Sequence, residues 1–188
     1  MHACGHDGHM TMVLGAAAVL AADDDFDGTV HFVFQPAEEP GKGAAAMIAD
    51  GLFDRFPMDA IFGLHNNPGV PAGSFGFGSG PFMAASDTAH ITIQGRGGHA
   101  AAPHQSVDAV VVAAYVVTAL QTVVSRSLPP SETAVLTVGK IAGGYRGNVI
   151  AESATMTGTI RSYTDAVRES MLRRTEDIVA GVCASFGA

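Results

Sequence analysis

Two short β-type runs, residues 29–34 (TVHFVF) and 59–64 (DAIFGL), stop abruptly where ligand-type side chains begin. The first is β-branched and aromatic, as a buried strand requires. It ends at Gln35-Pro36, because proline cannot extend a ladder, with Glu38 and Glu39 just beyond. The second ends at His65-Asn66-Asn67-Pro68. A Gly-containing loop and a helix-forming stretch over residues 43–52 lie between them. Strand, helix, strand with short links predicts a parallel sheet covered by helices. Neighbouring parallel strands present their C-terminal ends to one crevice, which would bring Glu38, Glu39 and His65 toward a common point.

The segment before these runs supplies the remaining ligand types. His2-Ala-Cys4-Gly-His6-Asp7-Gly-His9 holds three His, one Cys and one Asp within eight residues. Thiolate and imidazole suit zinc, cobalt, nickel or manganese sites, and small residues between them let the backbone fold around an ion. Asp7 can cap a helix over residues 8–22. Adjacent carboxylates at a strand end point different ways, so one of Glu38 and Glu39 can ligate while the other faces a reacting water. Singly, each histidine is more simply structural and the Glu pair a solvated turn; their joint occurrence at three element ends points to a metal site. His31 and His90, inside strand runs, are read as structural, and His2 and His9 as groups behind the ligands or at a helix end. The acidic run at residues 23–28 (DDDFDG) reads as a solvated turn.

From Ser86 the texture changes. Residues 88–94 alternate as a strand with one wet face, and a glycine loop and Pro103 precede a long helix over residues 106–125. Pro129-Pro130 breaks the chain, residues 133–141 and 151–163 read as strands, and residues 165–185 as an amphipathic helix. The order β-α-β-β-α is one strand short of a split βαβ sandwich. The boundary is expected near Ala85, giving residues 1–85 as part of a metal-binding domain and residues 86–188 as a second, α+β domain.

Composition narrows the function. Residues 1–85 carry two basic and ten acidic side chains, and residues 86–188 carry eight of each, so the net charge of −8 lies in the first half. No basic stripe is present to neutralise phosphates, which argues against nucleic-acid binding. Cys4 and Cys183 are the only cysteines, too few for a disulfide framework, and a reducing, cytoplasmic setting is expected. Two apolar stretches imitate membrane signals. Residues 10–22 lack the basic leader of a signal peptide, and residues 107–124 contain Asp108 and Gln121 and are short for a bilayer span; both are read as buried helices. Gly95-Arg96-Gly97-Gly98-His99-Ala100 formally fits a dinucleotide fingerprint. However, residues 109–131 contain no Asp or Glu to bind a ribose, and the loop reads instead as a way to expose the His99 imidazole. The Gly-rich segment 143–150 (GGYRGNVI), with Asn148, and Arg161 together suit a carboxylate, although Arg161 alone would be an ordinary surface residue.

The stretches MHACGHDGH (1–9), FQPAEE (34–39), GLHNNP (63–68), GRGGHAAAPH (95–104) and GNVIAESATMTGTIRSY (147–163) resemble the metal-dependent amidohydrolases that include hippurate hydrolases, N-acetyldiaminopimelate deacetylases and auxin-conjugate hydrolases. The resemblance implies an α/β fold: an incomplete parallel-sheet catalytic domain with an inserted split βαβ lid that mediates homodimerisation. It implies that Cys4, His6, Glu39 and His65 bind one or two divalent ions, manganese or zinc first and cobalt or nickel as alternatives. Glu38 would be the general base, His99 would reach into the partner subunit's site to stabilise an oxyanion, and Asn148 and Arg161 would hold the carboxylate of an N-acyl amino acid. Members begin well before the first motif and continue past the lid to a further His ligand. The chain is therefore expected to be a fragment with exposed apolar edges, and a non-catalytic metal-binding or dimerisation module is the competing class.

Overall fold

The computed structural model describes residues 1–23 and 25–188; Asp24, within the expected acidic turn, lies outside the described residues. The chain divides into two compact units, Met1–Gly76 and Phe77–Ala188, so the segment just before Ala85 groups with the second.

In the first unit, α1 (His6–Ala21) begins after Gly5, whose φ of 73° turns the chain into the helix without a side-chain cap. Asp7, expected as the cap, lies inside the first turn instead, where its charge favours the helix dipole. Two further helices, α2 (Gly43–Ala49) and α3 (Leu52–Arg55), are joined through Gly51 at a φ of 85°. Arg55 ties back to Asp50 at 3.2 Å across this junction. The two β-type runs do not form the expected parallel sheet: among the described residues, the first unit has no strand. Strand propensity favours a pleated surface but makes no ladder by itself; each run needs a neighbour's N–H and C=O groups. No backbone hydrogen bond joins residues 29–34 to residues 59–64. Gly43 is the one buried residue among those described in this unit, and Phe62 is 92 % exposed.

The second unit has a conventional core. Strands β1 (Ala85–Gln94), β3 (Ala134–Gly143) and β5 (Ser153–Ser162) form a sheet in the order β1-β5-β3, with β5 antiparallel to both neighbours. Strands β1 and β3 therefore run parallel to each other with β5 between them, which is the split βαβ arrangement. A bulge interrupts β3 between Val138 and Lys140. A minor ladder pairs β2 (Gly98–His99) with β4 (Val149–Ile150). Ala154, Met156, Ile160 and Ser162 alternate along β5 as its buried face. Against it lie α4 (Ala109–Ser127), through Val112, Val116, Leu120 and Val123, and α5 (Asp165–Phe186), through Val167 and Met171. Helix α4 is long and apolar enough to cross a membrane by composition, but its most apolar stripe is spent on this core. It starts three residues later than the sequence suggests because Pro103–Gln105 forms a 3-10 turn and Asp108 caps it, accepting from the N–H groups of Val110 and Val111. Thr164 caps α5 in the same way, accepting from Val167 N–H.

Candidate metal centre

Two stretches of the first unit converge, and His65 from a third meets the first. The turn before α1 delivers Cys4, the first residue of α1 delivers His6, and the turn before α2 delivers Glu38 and Glu39. One ligand atom each from Cys4, His6 and Glu39 lies within 4.8 Å of the other two. His6 Nε2 stands 3.4 Å from Glu39 Oε1 and also 3.4 Å from Glu38 Oε2. His65 Nε2 stands 3.4 Å from Cys4 Sγ. A tetrahedral ion with ligand bonds of about 2.0 to 2.3 Å holds its ligand atoms roughly 3.3 to 3.8 Å apart; the His6–Glu39 and Cys4–His65 spacings fall in that range, while His65 is not among the three residues that meet the 4.8 Å limit. The donors, one sulfur with imidazole nitrogen and carboxylate oxygen, are those of zinc-type sites.

Loss of water around its sulfur, then the charge and hydrogen bond of Glu39 and the charge of Glu38, raise the Cys4 thiol above its ordinary pKa. A cation among these groups would add an opposing contribution that favours the thiolate. His65 is oriented by its own neighbour: Nδ1 lies 2.7 Å from the Asn66 carbonyl oxygen. That oxygen can only accept, so the ring proton sits on Nδ1 and the Nε2 lone pair faces Cys4.

The Glu pair is held by the backbone. Ala37 adopts a φ of 49°, left-handed for a residue with a side chain, and its carbonyl accepts from the N–H groups of Lys42 and Gly43. The two carboxylates do not diverge as adjacent strand residues would; both approach the same His6 nitrogen, because the segment is a turn and not a strand end.

His9 and Asn66 were not singled out by their sequence as partners, yet they meet. Asn66 N–H donates to His9 Nε2 at 3.0 Å, and Asn66 Oδ1 lies 2.7 Å from the same nitrogen, a contact that is no hydrogen bond once Nε2 accepts. The His9 ring centroid is 5.3 Å from that of His6 and 4.4 Å from that of His65. His2 contributes its carbonyl, which accepts from Gly5 N–H. His31 packs its ring 5.5 Å from Phe56.

In the second unit, His99 on β2 accepts from Ala101 N–H through Nδ1 at 3.1 Å, so the neutral ring carries its proton on Nε2, free to donate. The Asn148 carbonyl accepts from Ala100 N–H, bringing His99 and Asn148 to one end of this unit. Arg161 is not brought to them. It lies eight residues along β5 from Ser153, roughly 26 Å at about 3.3 Å per residue, exposed on the sheet face away from the helices. The glycines of the 95–98 loop serve close packing: a Cβ on Gly95 would overlap the Val107 carbonyl, and one on Gly98 the Ser106 hydroxyl. His90 is exposed on β1.

Cys4, His6 and Glu39 meet in the turns before α1 and α2 and at the start of α1, a donor set of the kind metal centres use. The profile of Peptidase family M20/M25/M40 matches residues 1–182, and the chain belongs to that family. It is 43 % identical over 187 residues to an N-acetyl-L-cysteine deacetylase of Bacillus subtilis, a match covering 99 % of this chain and 44 % of the relative. It is 42 % identical to an N-acetyldiaminopimelate deacetylase of Exiguobacterium sibiricum, covering 100 % and 50 %. A dinuclear metal-binding peptidase of the M20 family from Bacillus subtilis superposes with a TM-score of 0.74 at 32 % identity, over 100 % of this chain and 46 % of that one. The chain thus spans about half the length of the curated relatives it matches.

Proposed function

We propose that this chain carries the metal centre of an amidohydrolase that cleaves the amide bond of N-acyl amino acids. The observation that carries the reading is the Cys4, His6 and Glu39 cluster with Glu38 set against the same imidazole. Cys4, His6, Glu39 and His65 would hold one or two divalent ions, manganese or zinc before cobalt or nickel; such an ion supplies Lewis acidity and makes water more acidic. Glu38 has an exposed carboxylate and takes a proton from the attacking water, returning it to the leaving amine. His99, with its donor on Nε2, stabilises the negative charge on the carbonyl oxygen, as such donors do by about 3 to 4 kcal/mol.

The first 85 residues act as part of the catalytic domain and residues 86–188 as a lid and dimerisation domain. Arg161 lies toward the far end of β5 while Asn148 precedes β4, an arrangement that suits a homodimer in which the two residues holding one carboxylate come from different subunits. The substrate class is supported by the deacetylase names of the relatives. Two free cysteines support a reducing, cytoplasmic setting.

A second reading, a metal-binding or dimerisation module without turnover, is favoured by the first unit's having one buried residue, Gly43, among those described. Purified chain is tested for metal content and for hydrolysis of a panel of N-acetyl amino acids. Glu38→Gln should abolish turnover and leave metal content nearly intact. Metal binding without any turnover in the parent chain would establish the module instead.

A further inference from the structure

Asn66 makes three contacts that no ligand role explains. Its carbonyl orients the His65 ring, its N–H donates to His9 Nε2, and its side-chain amide reaches the same His9 nitrogen. The amide also lies directly over Gly5, where a Cβ would overlap it. One residue of the His65 segment thus grips both sides of the Cys4–His6 turn: Gly5 within it and His9 one helical turn beyond His6. These contacts span 57 to 61 residues of sequence. Together with the Cys4–His65 contact they join the two segments through uncharged groups, so like charges do not drive them apart.

Resting on the metal-centre reading above, we infer that Asn66 and His9 are a positioning pair that sets His65 and the Cys4–His6 turn at ligating distance before any ion arrives. Neither side chain contributes to the Cys4, His6 and Glu39 cluster; they act through His65 and through the start of α1. Partners behind metal ligands typically change metal affinity by about 10- to 100-fold when removed. Because the two residues share one contact, their effects should not add.

The test uses the full chain with zinc and cobalt ions as probes. Zinc affinity is measured by competition with a chromophoric chelator. His9→Ala, which removes the acceptor of Asn66 N–H, should weaken binding by about 10- to 100-fold; Asn66→Ala keeps the backbone carbonyl and N–H and removes only the amide over Gly5 and His9, so its loss should lie near the lower end of that range, and the double variant should be little weaker than His9→Ala. His9→Gln, whose side-chain oxygen can still accept from Asn66 N–H, should recover part of the His9→Ala loss. With cobalt, Asn66→Ala should keep the thiolate charge-transfer band of Cys4 while the ligand-field bands shift, a change that a general loss of stability would not produce. In the ion-free parent chain, imidazole nitrogen resonances should show His9 Nε2 unprotonated and hydrogen-bonded. Variants that bind zinc within threefold of the parent and give the parent cobalt spectrum overturn the inference and leave the metal centre standing. A parent chain that takes up no zinc, even with the His9 bond present, overturns both.

Discussion

The carbonyl oxygen of Pro36 lies so close to Gly43 that any Cβ at residue 43 would overlap it. The start of α2 is thereby pressed against the turn that carries Glu38 and Glu39, and Gly43 is fully buried there. Helix propensity alone would favour Gly43→Ala by about 0.5 to 1 kcal/mol. Overpacking against a backbone atom, which cannot swing aside as a side chain can, typically costs about 1 to 3 kcal/mol. The steric term wins. Gly43→Ala should therefore displace the Glu pair, and zinc affinity of the variant should fall, measured beside its far-UV spectrum. An unchanged affinity would mean that the turn can shift without moving the carboxylates.

Cys4 is the soft member of the donor set. Cys4→Ser keeps the size but replaces a thiolate with a hard, weakly acidic hydroxyl. Loss of a ligand should exceed the roughly 100-fold ceiling for groups behind it, and it should fall more heavily on zinc than on manganese. Competition titrations with both ions read the ratio. Equal losses would show that the sulfur is not what distinguishes them.

Much of the second unit is legible in sequence because its signals are local. Alternation along residues 88–94, the Pro129-Pro130 break and the amphipathic run from Asp165 each report their own element, and β1, β3, β5, α4 and α5 form close to the expected places. Their ends shift by two or three residues where caps decide, as Asp108 does for α4. In the first unit the apolar runs carry strand propensity, but a ladder depends on a partner that propensity does not supply. The grouping of Cys4 and His6 with Glu39 was legible from the density of ligand-type residues and their glycine spacing. The part of Asn66 was not: its contacts with His9 and Gly5 cross more than fifty residues, and nothing in the local pattern of HNNP marks which asparagine turns inward.

Arg168 on α5 grips Asp87 on β1 with two parallel hydrogen bonds, the Nε one at 2.7 Å. The hydrogen bond to Arg168, and secondarily its charge, hold the Asp87 carboxyl below its ordinary pKa despite partial burial. A folded-state pKa below the unfolded one contributes stability that is complete above the ordinary carboxylate range. It is lost as pH falls through the depressed value. The Asp87 side chain is 20 % exposed and that of Arg168 41 %, so solvent screening keeps the pair's contribution small even with bidentate geometry. Asp87→Asn should lower the melting temperature at pH 7, and the difference should shrink toward pH 3. A difference that persists at low pH would assign the effect to packing instead.

The Thr175 hydroxyl on α5 is buried and has no hydrogen-bond partner among the described residues. Beside it lies a cavity of about 10 Å³, lined by apolar side chains such as Ala89, Ile91, Leu120 and Ile160. That volume is at the lower limit for one water, and a water there would find few of the two to four polar partners it needs. The hydroxyl is therefore desolvated without return, which costs about 1 to 3 kcal/mol for a polar group. Thr175→Val replaces it with a methyl of nearly the same shape and retains the contacts of Thr175 with the sheet. The variant should be more stable by about 1 kcal/mol, a rise of roughly 4 to 8 °C in the melting of a domain of this size. Calorimetry of the two chains side by side decides it. A lower melting temperature in the variant would show that the hydroxyl finds a partner in solution, and that the cavity is wet.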